Sequence, residues 1–543
     1  MRKQILVLST AMVGLTSCSN QLDVKNVTQP DVSRVLATPA LIEGVVGGLG
    51  LLVFNPERAS ESVNTQSKVL AAESWGSVAN FGIAVRAAVP HSALISNELG
   101  NDNQIGNLAN FQSFSIASRT ASNTIKAFDK VLAAGQTLGS SAQDQRARAF
   151  SYLVLGEAMG NLSLAYDSAA IVSVKLAAED IPPLSGAADV AKAALGALDS
   201  AIAIASSAAA QSGSNGFPLP ATWLNGLSVS RTDFIKMARS FKARYRAGVA
   251  RTPTERAAVD WSAVIADATN GIAADVAVQI GNGSGWSAQF DENTGYVNGY
   301  SMMPMYYWGM ADTSLAYDAW LATPRDQRRA FLVQTPDSRW PSGATRAAQQ
   351  SVTAFASLPT PSGQIIRNRP TGEDIVVTGY GDTWYENRRY GSVNAAGHIG
   401  AYIDFSKVEN DMLAAEGYIR TGNVPAAAAL VNISRVRNGL SSVLGVTSAT
   451  SPISTATSCV PRVPVGPNFT STACGNLFEA MKYEKRVETA ETGYMIWFTD
   501  SRGWGDLLEN TVIEWPVPYQ EMQARLKPFY NGTRAQGKGT YGF

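Results

Sequence analysis

The chain is short of the residue types on which charge-driven and metal-driven functions usually rest. Only two of its 543 residues are histidine, His91 and His398, and they lie far apart in sequence, which argues against a histidine-built metal centre. Charged residues make up 16%, against about a quarter in ordinary soluble proteins, and Lys+Arg and Asp+Glu balance at 44 each. Without an excess of positive charge there is no electrostatic footprint for nucleic acid and no broad attraction to an anionic membrane surface. Beyond residue 18 no run of 18 or more apolar residues occurs, so no spanning helix is expected. The short motifs of Walker, dinucleotide, zinc-protease and serine-hydrolase sites are missing too. Gly281-Asn282-Gly283-Ser284 comes nearest to a phosphate loop but does not open a helix. What remains is rich in Ala, Ser, Gly and Thr and 45% hydrophobic, enough for a large core. Composition thus describes a neutral, exported body that needs neither metal nor cofactor.

The amino terminus sets the compartment. Arg2 and Lys3 precede an apolar stretch from Ile5 to Leu15 and then small residues, which is the pattern of a signal peptide and too short to persist as a spanning helix. Its last four residues, Leu15-Thr16-Ser17-Cys18, resemble the bacterial lipobox. That resemblance implies removal of residues 1–17, a diacylglyceryl group on the Cys18 sulfur and an acyl group such as palmitate on the new amino terminus. Buried acyl chains, at about 0.8 kcal/mol per CH2, hold a protein on a bilayer without a spanning segment. Ser19, rather than Asp, follows the cysteine and points away from inner-membrane retention. Cys459 and Cys474 then remain as one pair in an oxidising compartment, around a proline-rich loop. A bridge there would stabilise the fold by about 3 kcal/mol on the chain-entropy argument; two free thiols are the alternative.

Residues 18–40 read as a lipidated tether and the start of the fold, and 41–543 as one domain. Apolar residues spaced by three and four predict amphipathic helices over 143–166, 187–209, 232–249 and 257–272, then over 407–420 and 425–437. Thr421-Gly422-Asn423 breaks the last pair: Gly422 stops one helix and Pro425 suits the first turn of the next. Paired helices with short breaks predict a mainly α fold of stacked, TPR-like hairpins within 114–273 and 405–500. The stretch 274–400, dense in Gly, Pro, Ser, Thr and aromatics, is expected to be a large irregular insertion that carries the ligand region.

Toward the carboxyl terminus a series of short motifs appears. Glu409-Asn410-Asp411-Met412-Leu413-Ala414-Ala415-Glu416-Gly417 leads into the glycine break and then into Asn432-Ile433-Ser434-Arg435-Val436-Arg437-Asn438-Gly439. Tyr483-Glu484-Lys485-Arg486-Val487-Glu488 follows, then the stretch from Trp497 to Asp506, then Pro516-Val517-Pro518-Tyr519-Gln520-Glu521. In this order, behind a lipobox and Leu22-Asp23-Val24, they resemble the SusD/RagB family of outer-membrane nutrient-binding lipoproteins. Lys485 departs from the family's usual Arg, and Gly493-Tyr494 from its usual Glu-Gly-x-Arg. The resemblance implies a SusD-like fold on a surface-facing lipoprotein of the cell outer membrane. It implies capture of an oligosaccharide or similar nutrient and delivery to a SusC-like TonB-dependent transporter, with no enzymatic step. A helical adaptor that binds only protein partners is the main alternative, and a helical-barrel glycosidase the more distant one.

Several side chains carry specific expectations. Glu409, Glu416, Arg435 and Arg437 sit on facing helices of one hairpin and are expected to pair with one another. Glu484, Glu488 and Glu491 are expected to be laced to Lys482, Lys485 and Arg486 along one helix rather than to form a glycosidase acid pair. Trp286, Tyr296, Tyr300, Tyr306, Tyr307 and Trp308 crowd one stretch, and Trp384, Tyr385 and Tyr390 another. Such rings offer a flat apolar face with a hydrogen-bonding edge, which suits sugars, and Asn298, Asp382, Asn387 and Arg388 stand nearby to bond hydroxyls. Trp75 and the polar run from Asn97 to Asn103 lie where the family builds one wall of its ligand site. The same rings would equally fill a core beneath long loops, and the residues alone leave that open.

Overall fold

Side chains that cap their own helices set most of the element boundaries. Thr38 accepts from the Leu41 amide to open α1 (Pro39–Glu57), and Ser62 from Thr65 to open α2 (Val63–Leu70). The long α3 (Gln104–Ala133) follows, then α4 (Ser141–Ala165), capped by Ser140. Beyond the paired strands β1 (Ser168–Ala170) and β2 (Leu184–Gly186), α5 (Ala187–Ser206) packs along α4. Ser230 opens α6 (Arg231–Gly248), Thr252 opens α7 (Pro253–Ala257) and Asp260 opens α8 (Trp261–Thr269). Each cap satisfies an amide that the helix leaves orphaned, at a gain of about 1 kcal/mol. The computed structural model describes residues 36, 38–59, 62–75, 86–92, 94–100, 104–177, 179–211, 216–288, 302–351, 358–371 and 383–543.

The insertion is built from short pieces: β3 (Val276–Ile280), α9 (Ala316–Ala322), β4 (Ile366–Asn368), β5 (Tyr385–Asn387), α10 (Gly391–Ala395) and β6 (Gly400–Phe405). β3 pairs antiparallel with β6, and β4 with β5. Helices return with α11 (Lys407–Arg420) and α12 (Val424–Arg437), joined through Gly422 at φ +83°. Then come β7 (Arg462–Val465), β8 (Ser471–Cys474), α13 (Leu477–Thr489), α14 (Ile496–Trp504) and α15 (Tyr519–Ala524). Cys459 and Cys474 form a disulfide with their Cα atoms 5.8 Å apart.

The helices stack as α3 on α4, α4 on α5, α5 on α6, α6 on α8, α8 on α11, and α11 on both α12 and α13. Two glycines of α4 set the spacing of that stack. A β-carbon on Gly156 would lie 2.7 Å from Leu198 of α5, and one on Gly160 would lie 2.4 Å from the Tyr245 ring of α6. One continuous core runs from Ile42 to Phe543, and a second lies where α11, α12 and α13 enclose Met412, Val431 and Met481. The carboxyl-terminal tail closes the body. Trp515 donates to the Ala165 carbonyl at 2.9 Å, Ile95 and Gly532 bond each other at 2.8 and 2.9 Å, and Phe543 packs 4.9 Å from Tyr306.

The mainly helical stack expected from periodicity is present, with α4, α5, α6, α11 and α12 close to their expected ranges. The helix expected over 257–272 is shorter, Trp261–Thr269, because Asp260 caps its start; Ala257 instead ends the preceding α7. α1, α2 and the start of α3 precede the expected hairpins. α1 is long and apolar enough to cross a membrane, but Ile42, Val46 and Leu49 are wholly buried and the helix packs on α3 and α4. Cys18 and Leu22-Asp23-Val24 lie outside the described residues.

Arginine–carboxylate bonds fasten the helices, though in other pairs than expected. Glu409 receives both Nε and Nη2 of Arg244 at 2.7 Å, and Glu416 receives Arg256. Arg435 stands 3.6 Å from Glu484, and Arg437 lies 2.9 Å from Glu488. The α11 and α12 faces that meet are apolar (Ala415, Ala427 and Val431 among them), so their charges turn to α6, α7 and α13 instead. On α13, Lys482 keeps one local pair with Glu479 at 3.0 Å, while Lys485 reaches Asp500 at 2.7 Å and Arg486 reaches Asp506 at 2.5 Å. Glu491 pairs with Lys68 at 2.7 Å. The lacing is between helices, where a guanidinium fork bonds a carboxylate with both arms.

Candidate functional site

Trp75, Tyr306, Tyr307, Trp308 and Tyr385, five of the aromatic residues singled out from sequence, form a buried floor. Trp75 and Met302 bond each other's backbone at 2.8 and 2.9 Å, and the Met303 amide donates to the Tyr385 carbonyl at 3.1 Å. The Trp75 ring stacks 5.9 Å from Tyr306, Trp308 lies 5.0 Å from Trp497, and Trp340 joins Trp308 to Tyr385. Their polar tips are used inward: Trp308 donates to the Glu73 carbonyl at 2.9 Å, Tyr385 to Gln349 at 2.6 Å, and Tyr307 to the Asp506 carbonyl. Tyr306, Tyr307, Trp308 and Tyr385 are at most 2% exposed. In this structure they pack as core instead of standing open as the expected platform. A tyrosine hydroxyl that finds a carbonyl inside needs no solvent.

The remaining candidates divide. Trp75 and Trp286 are also buried, Trp286 against Phe54 in a separate small cluster at 4.9 Å. Arg388 is fully buried and paired with Glu386 at 2.5 Å, and Asn387 is buried in β5. Trp384 is partly buried, with the Arg346 guanidinium 4.7 Å over its ring. Asn97 is buried and donates to the Val517 carbonyl at 2.7 Å. Tyr296, Tyr300, Asn298, Asp382 and Asn101 to Asn103 lie outside the described residues. Trp75, Met302 and Thr383, which adjoin 76–85, 289–301 and 372–382, all sit at this one floor: the Arg369 guanidinium donates to the Met302 sulfur at 2.7 Å and its amide to the Trp384 carbonyl at 2.7 Å.

Beside the floor, past β4 and β5, opens a cleft of about 600 Å³, within the range of small-molecule sites. Pro359, Ile365, Tyr390, Val393, Ile399 and Ile403 give it apolar walls. Its other end is polar, built where α12 and α13 finish: Arg339, Arg389, Arg437, Asn438 and Glu488. Glu488 accepts from Arg339 at 3.0 Å, Asn438 at 2.7 Å and Arg437 at 2.9 Å. Arg389 donates through Nε and Nη2 to the Ala490, Val487 and Glu488 carbonyls at 2.9–3.0 Å, closing the carboxyl end of α13. Sequence reading had taken Arg437 as a structural partner within its hairpin and had not singled out Arg389. A second cleft of about 550 Å³ lies between α5, α6 and the tail, with four cationic and four acidic side chains along it. Among the described residues the first cleft is lined by three guanidiniums and one carboxylate.

Buried carboxyls, Glu488 of the cleft among them, make stability depend on pH. Burial alone would raise Glu488, but Arg339, Arg437 and Arg389 hold it at about 2. Burial would likewise raise Glu416, which Arg256 and Arg420 hold at about 2. Between that value and the ordinary 4.5 the unfolded chain binds protons that the folded one does not, so their contribution is lost as pH falls through this window. Glu57 runs the other way: burial pushes it up to about 7, so its contribution is lost as pH rises from 4.5 to 7. Urea midpoints across this range are expected to show a shallower acid limb for Glu488→Gln and a flatter decline toward neutrality for Glu57→Gln. Curves parallel to the parent protein would count against both assignments.

No protein-family model matches the chain, and no curated protein sequence does. Solved structures do. A SusD homolog from Parabacteroides distasonis is 14% identical, with TM-score 0.54 over 89% of this chain and 93% of its own. A SusD-like protein from Bacteroides fragilis is 13% identical, with TM-score 0.53 over 91% and 97%. A SusD superfamily protein from Bacteroides thetaiotaomicron is 11% identical, with TM-score 0.53 over 90% and 98%. At these identities the likeness is one of fold, and it extends over nearly the whole chain.

Proposed function

We propose that this chain, which has the SusD-like fold, captures an oligosaccharide or similar nutrient at the bacterial surface and hands it to a SusC-like TonB-dependent transporter. The observation that carries this reading is the cleft: a helical body whose irregular insertion leaves an open, partly apolar hollow beside a rigid aromatic floor, with one arginine-paired carboxylate among its described residues. In this reading the hollow binds its ligand by contact. Tyr296 and Tyr300, in the stretch that ends at this floor, remain the aromatic candidates for ligand contact. Cys18 would carry the diacylglyceryl anchor that keeps the protein on the outer membrane.

Isothermal titration of the purified protein against a panel of neutral and acidic oligosaccharides tests capture. At least one class should bind and be recovered unhydrolysed. A protein that binds no saccharide yet co-purifies with an outer-membrane barrel would instead be the adaptor. Incorporation of labelled palmitate, abolished by Cys18→Ser, tests the anchor.

A further inference from the structure

We propose that the cleft between α10, β6 and the carboxyl ends of α12 and α13 holds the acidic group of an anionic saccharide, a uronic acid residue, on Arg389 and Arg437. The proposal rests on the nutrient-capture reading and names its ligand class. Charge at the polar end does not cancel. Arg339 is matched by Asp337 at 2.6 Å and Glu484 at 3.0 Å, with Arg435 beside the latter. The Glu488 carboxylate is bonded by Arg437 and Arg339, while Arg389 meets only backbone carbonyls, so among the described residues one positive charge is in surplus where the cleft opens. Both guanidiniums are fixed by one side only. Arg389 spends Nε and Nη2 on backbone carbonyls, and among the described residues its Nη1 has no hydrogen bond. Arg437 spends Nη2 on Glu488, its Nε and Nη1 have no partner among the described residues, and its side chain is 54% exposed.

A guanidinium fork held in this way presents paired N–H groups to a carboxylate, the geometry in which arginine is most selective. Pro359, Ile365, Val393 and Ile399 face the same hollow, so a bound acid needs a carbon-faced body. A pyranose ring with a carboxylate at its edge has both parts. Inorganic phosphate has the charge without the body, and a neutral sugar the body without the charge.

The test is calorimetric titration at low salt with trisaccharides of galacturonate, glucuronate and mannuronate, their carboxyl-reduced counterparts, inorganic phosphate, and a short peptide ending in a free carboxylate. At least one acidic trisaccharide should bind, its reduced counterpart about tenfold or more weaker, with affinity falling as salt is raised. Arg437→Met should cause a similar loss with only a small drop in thermal midpoint, since the side chain is half exposed and Glu488 keeps Arg339 and Asn438. Arg389→Met should weaken binding as well; if it unfolds, Arg437→Met alone decides. Equal binding of acidic and reduced sugars overturns the acidic assignment and leaves capture standing. Binding of the peptide or of phosphate in place of any saccharide overturns it too, and failure of every saccharide removes the capture reading with it.

Discussion

Arg256→Ala is expected to lower the unfolding free energy by about 3–5 kcal/mol, the cost of stripping one partner from a buried ion pair. Arg256 and Glu416 are both fully buried. Nε and Nη2 of Arg256 donate to the two Glu416 oxygens at 3.0 and 2.5 Å, Nη2 also to Asp500 at 2.9 Å, and Nη1 to the Ala247 carbonyl at 2.7 Å. One guanidinium thus joins α7, α11, α14 and the end of α6. Asp500 would keep Lys485 at 2.7 Å, and Glu416 would keep Arg420 and the Trp504 indole, but the bidentate bond at its centre would be gone. Urea unfolding followed by tryptophan fluorescence measures the loss. A variant with the parent's midpoint would show that the helices are held by apolar packing alone.

Trp308→Ala is expected to cost a similar amount, about 3–5 kcal/mol, for a different reason. The ring is 1% exposed and sits between Trp497 and Trp340, and its indole N–H satisfies the Glu73 carbonyl. Removal leaves a cavity and an unpaired buried acceptor. Thermal unfolding should show the drop, while calorimetry well below the new midpoint should find oligosaccharide affinity unchanged. Lost affinity with an unchanged midpoint would put Trp308 back on the ligand surface.

The helices of the two hairpin sets were legible because apolar residues recur at spacings of three and four, with Ser or Asn caps at the starts of α4, α6, α11 and α12 and Gly422 at the break between the last two. α1 was not, because Gly44, Gly47, Gly48 and Gly50 argue against a helix on propensity. Packing supplies the reason for one of them: a β-carbon on Gly50 would lie 2.8 Å from the Trp223 carbonyl. α3 hides behind Ser, Asn and Thr, yet Ser118 turns its hydroxyl back to the Phe114 carbonyl at 2.8 Å and needs no other partner. Of the site, sequence shows which residues are aromatic but not which way they point, because a ring beneath a loop and a ring on a loop have the same composition around them. The cleft's arginines escaped for a related reason. Arg389 and Arg437 act at helix ends that are distant in sequence, and only the folded chain brings Glu488 between them.

The tail has a consequence for the order of assembly. Trp515, Gly532 and Phe543 bond or pack against Ala165, Ile95 and Tyr306, so the earliest helices lack their last neighbours until synthesis is finished. A growing chain therefore has no closed amino-terminal half to lock early, and shortening it from the far end should unseat helices hundreds of residues upstream.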